Sequence, residues 1–328
     1  MKSTLNLFKL LSIALVCILQ SCSQEIGVWK NDKIAESERE DLHQLNDAVF
    51  KTVSENDDKK FGNYLTNELL KDNYSNKLFS QLYGTTRKDS FKLVDDFYVI
   101  NKYIDSDTIK VANGINSYKL IYNGDPQEMY IATFLPKSRT PNQYMITLIY
   151  GHYNYGWKIK DVDVAPYTIN GKTAPELYQQ AKLAYRAQNL FAAANTLQLL
   201  QSCSRPNNAW QYDSEAEMYS FAGEVINKVN EGYKFPLKLT SVDGAPTIIR
   251  LYHTTFNDGT FPNICYITKK NLKDVEAVER ENAEIRKTIN TLLPGVEKNS
   301  PYIVYSAYNE MPSQNAVREH YDMKVKGL

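Results

Sequence analysis

The chain has 328 residues, with 38 Lys+Arg against 38 Asp+Glu, 43% hydrophobic residues, 14 Gly and 12 Pro. These proportions exclude collagen-like, low-complexity and polytopic membrane proteins, and the length fits two or three globular modules of roughly 100 to 150 residues each. A formal net charge of zero also argues against a large nucleic-acid or polyanion surface, because such surfaces need a clustered positive field.

In chain order, Lys2 and Lys9 come first, followed by an apolar stretch from Leu10 to Leu19 broken only by Ser12. At about 1.5 Å per residue this stretch covers about 15 Å, half of a bilayer core, so it reads as the h-region of a signal peptide and is too short to span. The next residues, Leu19-Gln20-Ser21-Cys22, resemble the lipobox of bacterial lipoproteins. The resemblance implies that residues 1–21 are a leader, that Cys22 becomes a diacylated N-terminus, and that Cys22 makes the membrane a partner of the soluble body. Ser23 in place of Asp resembles lipoproteins sent on to the outer membrane, which implies a lipid-anchored protein of the bacterial cell envelope. The leader carries two lysines and no acidic residue, so its loss leaves the chain close to neutral. Cys17 leaves with it, and Cys203 and Cys265 remain, either as one disulfide or as two small buried apolar residues.

Residues 22–35 are polar and aperiodic, as suits a tether. Ser37 with Glu40 has the form of a capping box, and Leu42, Leu45, Val49 and Val53 follow at helical spacing. A second helix carries Phe61, Leu65 and Leu69, and a short third carries Leu78, Phe79 and Leu82. The pattern then switches to period two over 93–104, 108–112, 116–122, 128–135, 143–150 and 157–164, predicting an antiparallel sheet. In the strand from 143 to 150 both faces are apolar, which places it centrally. Helices followed by a meander that closes on Gly156-Trp157-Lys158-Ile159 and Asp161-Val162-Asp163-Val164 resemble the NTF2-like (cystatin-like) α+β fold. For residues 36–166 the resemblance implies N-terminal helices on a curved sheet that enclose a cone-shaped pocket.

Residues 167–232 read as a helical bridge. Thr173 and Glu176 form a capping box with Pro175 in the first turn, and a helix through Leu177, Ala181 and Ala184 is followed by one through Ala193, Leu197 and Leu200. Ala181, Tyr185, Asn189 and Ala193 resemble one tetratricopeptide unit. A single unit cannot bury its own apolar face, so no repeat array is expected. A third helix is predicted from about Tyr212 to Val229. Residues 233–328 return to α+β, with strands at about 235–242, 247–256 and 263–269 joined at Asp243-Gly244 and Asp258-Gly259. A long helix starts at Asn271 and Asp274, carries Val275, Val278, Asn282, Ile285, Ile289 and Leu292, and stops at Pro294-Gly295. A strand from Tyr302 to Tyr308 and a polar tail complete this module.

Chemistry is thinly represented. The four histidines, His43, His152, His253 and His320, show no metal-ligand spacing, and the chain lacks a G-x-S-x-G elbow, a P-loop and a dinucleotide fingerprint. No catalytic residue, metal or cofactor is assigned on these grounds. Asp105-Ser106-Asp107 reads as a solvated turn, and Asp161 and Asp163 read as the wet side of a strand or as a carboxylate pair. The most distinctive run is Gly151-His152-Tyr153-Asn154-Tyr155-Gly156-Trp157. Its candidate binding residues, His152, Tyr153, Tyr155 and Trp157, suit a clamp for sugars or peptides, or a hairpin whose rings pack on neighbouring strands. The 24 tyrosines, against 12 phenylalanines and 3 tryptophans, favour contact surfaces.

Two functions follow as expectations. The first is a non-catalytic, membrane-anchored binding or scaffold lipoprotein with a protein or glycan partner and no nucleic acid. The second is an enzyme with a small-molecule site in the NTF2-like pocket, in which His43 or His152 and an aspartate act as an acid–base pair.

Overall fold

The computed structural model describes residues 25–71, 74–312 and 318–327; the leader and Cys22 lie outside the described residues. Strand β1 (Gly27–Lys30) falls in the segment that reads as tether, and it pairs antiparallel with β2 (Phe91–Ile100) from Gly27 opposite Ile100 to Lys30 opposite Phe97. Four residues are too few to display a period, and the partner strand is about seventy positions away, so nothing local announces this strand.

Helix α1 (Glu36–Ser54) buries Leu42, Asn46, Val49 and Val53, spacings of four, three and four that place them on one face. It begins earlier than Ser37-x-x-Glu40 suggests. Ala35 is its N-cap, and Ser37, already inside the helix, donates its hydroxyl to Glu38 at 2.7 Å. Buried Ile34 fixes the entry of the chain, while Glu36 and Glu38 complement the positive end of the helix. Helix α2 (Asp58–Gly62) is capped by Asp57, which accepts from the Lys60 amide, and α3 (Tyr74–Thr86) turns Leu78, Phe79 and Leu82 inward.

These helices cover one face of an antiparallel sheet ordered β1-β2-β5-β6-β7, with β5 (Glu128–Pro136), β6 (Gln143–Tyr153) and β7 (Gly156–Thr168). Side chains alternate across a strand. Tyr98, Tyr130, Ala132, Ile146, Leu148 and Tyr150 meet the helices, and Phe97, Val99, Met129, Ile131, Met145 and Ile149 face the other way. That second face is equally buried. It is covered by a small sheet of β3 (Ser106–Val111), β4 (Tyr118–Asn123) and β8 (Trp210–Tyr212), together with helices α4 (Ala174–Arg186), α5 (Leu190–Ser202) and α6 (Glu215–Gly232). The capping box of Thr173 and Glu176 is present at the start of α4. Strand β8 lies inside the segment that reads as bridge, yet it pairs with β4, Tyr118 opposite Tyr212 and Leu120 opposite Trp210. The rings of Tyr118 and Trp210 stack at 3.5 Å.

The C-terminal sheet has the order β13-β12-β11-β10-β9. Its strands are β9 (Leu237–Lys238), β10 (Thr247–Phe256), β11 (Gly259–Ile267), β12 (Tyr302–Tyr308) and β13 (His320–Lys326). Helix α7 (Val275–Leu292) crosses between β11 and β12, the parallel pair, and Asp274 caps it by accepting from the Ala277 amide. Asn282 on its apolar stripe is buried. The polar tail thus contains a strand: Tyr321, Met323 and Val325 face the core while His320, Asp322, Lys324 and Lys326 alternate with them. Among the contacts that dock this unit are one apolar and one polar anchor. Phe191 of α5 enters its core, and the Asn170 side chain brackets the Thr260 backbone, donating to its carbonyl and accepting from its amide, both at 2.7 Å. Gly259 in the β10–β11 turn has φ of +143°, and a side chain there would meet Oδ1 of Asn170, so glycine serves both the turn and the docking.

Cys203 and Cys265 are buried free thiols, so the disulfide alternative does not hold in this structure. Among the described residues no helix is long and apolar enough to cross a membrane.

Candidate functional site

The helical face of the first sheet carries an acid within an otherwise apolar row. Asp96 on β2 is buried, and its Oδ2 lies 2.8 Å from Nε2 of His43 on α1. The same oxygen accepts from the Tyr130 hydroxyl at 2.9 Å. Asn46 donates to Tyr130 at 3.1 Å, and Tyr150 donates to Asn46 Oδ1 at 2.9 Å. The chain of donors therefore runs Tyr150, Asn46, Tyr130, Asp96. Burial, and for Tyr130 the adjacent Asp96 charge, push both phenols well above their ordinary pKa, so each remains a protonated donor. A carboxylate oxygen accepts, so Nε2 of His43 is the donor of this hydrogen bond. His43 Nδ1 has no hydrogen-bond partner among the described residues, and the side chain is 41% exposed.

His43 borders a cavity of about 470 Å³ between α1, the end of α3 and the start of β2. Asn46, Asp47 and Phe50 follow on α1 three, four and seven positions after His43, the spacing that aligns them along one side of a helix. Phe91 and Phe134 give the cavity an apolar wall from the sheet, and Asp89 lines it as well. Phe50 meets Phe134 edge to face at 4.8 Å. A second cleft of about 600 Å³ shares Asp89 and Phe91 and extends past half-exposed Tyr144 to Phe256 of the C-terminal unit. Together they make a trough with aromatic walls and polar edges, the form of a small-molecule site.

The aromatic run divides in two. His152 lies on β6 itself, with Nδ1 2.6 Å from Glu128 Oε2, while Tyr98 donates to Glu128 Oε1 at 2.5 Å. Trp157 stacks on His152 with centroids 4.8 Å apart. Tyr153 stacks on Tyr155 at 5.3 Å, on the opposite side of the hairpin, because consecutive strand residues point to opposite faces. The four residues therefore form two pairs and not one clamp.

Asp163 accepts from both the amide and the side chain of Asn208, tying down the loop before β8, and Asp161 accepts from the Val162 amide. Burial raises both carboxyls above the usual range. Asp105 and Asp107 each accept from the next amide, as turn residues do. His253 is half-buried, its Nε2 shut from solvent and without a hydrogen-bond partner among the described residues, and desolvation lowers its pKa to about 4. Among the described residues no three His, Cys, Asp or Glu side chains gather as metal ligands. The sequence names His43 but not its partner; the one local signal is the acidic pair Asp95-Asp96 inside a β-strand run. No family model, curated protein or solved structure matches the chain.

Proposed function

We propose that this chain is a lipid-anchored protein of the bacterial envelope that binds a small ligand in the α1–β2 trough without transforming it. The observation that carries the binding reading is His43, held by buried Asp96 at the edge of a cavity with aromatic walls. A ligand there meets one oriented imidazole, the amide of Asn46 and the rings of Phe91 and Phe134, a combination that suits a compact molecule with one apolar and one hydrogen-bonding face. The anchor reading rests on the leader and on Leu19-Gln20-Ser21-Cys22. The packing of α1 to α3 on β2-β5-β6-β7 with a cavity between them supports an NTF2-like arrangement for residues 36–166.

A panel of neutral sugars, amino acids and short peptides, screened by thermal shift, tests the reading. At least one compound raises Tm in the wild type, and His43→Gln and Asp47→Asn reduce or abolish that rise. Equal shifts in all three proteins place the ligand elsewhere and overturn the proposal.

One observation favours a second reading: Nε2 of His43 is fixed by a carboxylate while Nδ1 has no partner among the described residues, the arrangement of a general base. Recovery of a chemically altered ligand from the wild type, but of unaltered ligand from a His43→Gln variant that still binds it, would establish catalysis in place of passive binding.

A further inference from the structure

Strands β1, β2, β5, β6 and β7 all reach one end of the first sheet along a row that runs through Gly27, Ile100, Glu128, His152 and Trp157. The chain enters at this end. Cys22 precedes Gly27 by five positions, so whatever its conformation the spacer covers at most about 18 Å. The same end displays Ile26, Tyr103, Ile104 and Tyr155, between 50% and 68% exposed, with Tyr103 and Ile104 the most exposed large apolar residues described. They come from three separate segments: the entry, the link after β2 and the tip of the β6–β7 hairpin. Four strand spacings separate β1 from β7, about 19 Å, so Tyr155 stands across the end from Ile26, Tyr103 and Ile104. Scattered exposed apolar residues are ordinary on a surface; their gathering at the one end reached by a spacer this short is not.

We infer that this end of the sheet, through Ile26, Tyr103, Ile104 and Tyr155, rests on the lipid surface and holds the trough away from it. The inference rests on the proposed acylation of Cys22. Tyrosine and isoleucine suit the headgroup boundary, where a ring takes an apolar and a wet edge at once. Charges at this end are mixed: Lys102, Lys158 and Lys160 stand among Asp105, Asp125 and Glu128. Apolar contact thus drives the docking, without a need for anionic lipid. The trough runs along β2 from His43, beside Asp96, to Phe91, four to nine residues from Ile100 and so about 13 to 30 Å from that end of the sheet. The C-terminal unit docks at the opposite end through Asn142 and Asn170.

The experiment uses the full mature chain, purified from membranes, in phosphatidylethanolamine vesicles. Intact mass and flotation report the anchor. An environment-sensitive fluorophore is placed at Tyr103→Cys or Asn257→Cys, the buried native thiols being out of reach. Addition of a nitroxide lipid quenches the probe at 103 by about twofold or more and leaves the probe at 257 unchanged, at low and high salt alike. A chain that is acylated and floats but shows equal quenching at both sites, or none at 103, overturns the docking and leaves the anchor standing. A chain without acyl mass that does not float overturns both.

Discussion

His43 Nε2 lies 2.8 Å from Oδ2 of Asp96, a carboxylate shut away from solvent and supported from behind by the Tyr130 hydroxyl. Losing the two partners has unequal consequences. Asp96→Leu strands the Tyr130 hydroxyl without its acceptor and costs about 1 to 3 kcal/mol, whereas His43→Gln, at a part-exposed position, costs less than about 1 kcal/mol. Urea denaturation of the two variants checks the order. Equal losses would mean that the carboxylate is not the keystone of the network.

The buried Glu297 is fully partnered: Arg286 Nε and the Tyr305 hydroxyl each donate to Oε1 at 2.7 Å, and Asn290 donates to Oε2 at 3.1 Å. Arg286 also donates to the Lys326 carbonyl, joining α7 to β13. Arg286→Met leaves a buried charge uncompensated and is expected to cost about 3 to 5 kcal/mol, while Arg286→Met combined with Glu297→Leu recovers part of the loss. A double variant no more stable than Arg286→Met contradicts this.

Glu281 on α7 is buried with both carboxyl oxygens unpaired. Burial raises its pKa above 4.5, against the lowering effects of the Thr268 hydroxyl and of Lys270 and with a still smaller push from Asp243. A carboxyl with a higher pKa folded than unfolded binds more protons in the folded state, so stability falls as pH climbs from about 4.5 through the folded value. Glu281→Gln removes this dependence. The variant is therefore more stable than the wild type near pH 7, and the gap closes near pH 3, as denaturation midpoints at the two pH values would report.

Asn170 combines a positive φ of +52° with its double hydrogen bond to Thr260. Asn170→Gly loses only the bonds, whereas Asn170→Ala also carries the left-handed backbone penalty of about 1 kcal/mol. Both variants should speed amide exchange around the β10–β11 turn, with Ala the less stable of the two. The reverse ranking would show that the backbone geometry is not enforced.

Several local signals suffice, although the Ser37-x-x-Glu40 box does not cap α1 and the spacing of Phe61, Leu65 and Leu69 does not carry α2 beyond Gly62. Spacings of three and four place α1, α4 and α7, Thr173 with Glu176 opens α4, Asp258-Gly259 turns β10 into β11, and the doubly apolar run at 143–150 becomes a strand buried on both sides. What a residue meets across the fold was decided only by tertiary structure. β1 and β8 are too short to show a period and exist because β2 and β4 offer them edges. Asp96 acquires meaning from a histidine 53 positions earlier, and strand alternation separates His152 and Trp157 from Tyr153 and Tyr155. Helical and turn preferences are settled within a few residues, while sheet pairing and buried polar networks depend on chain segments that meet only when the whole has folded.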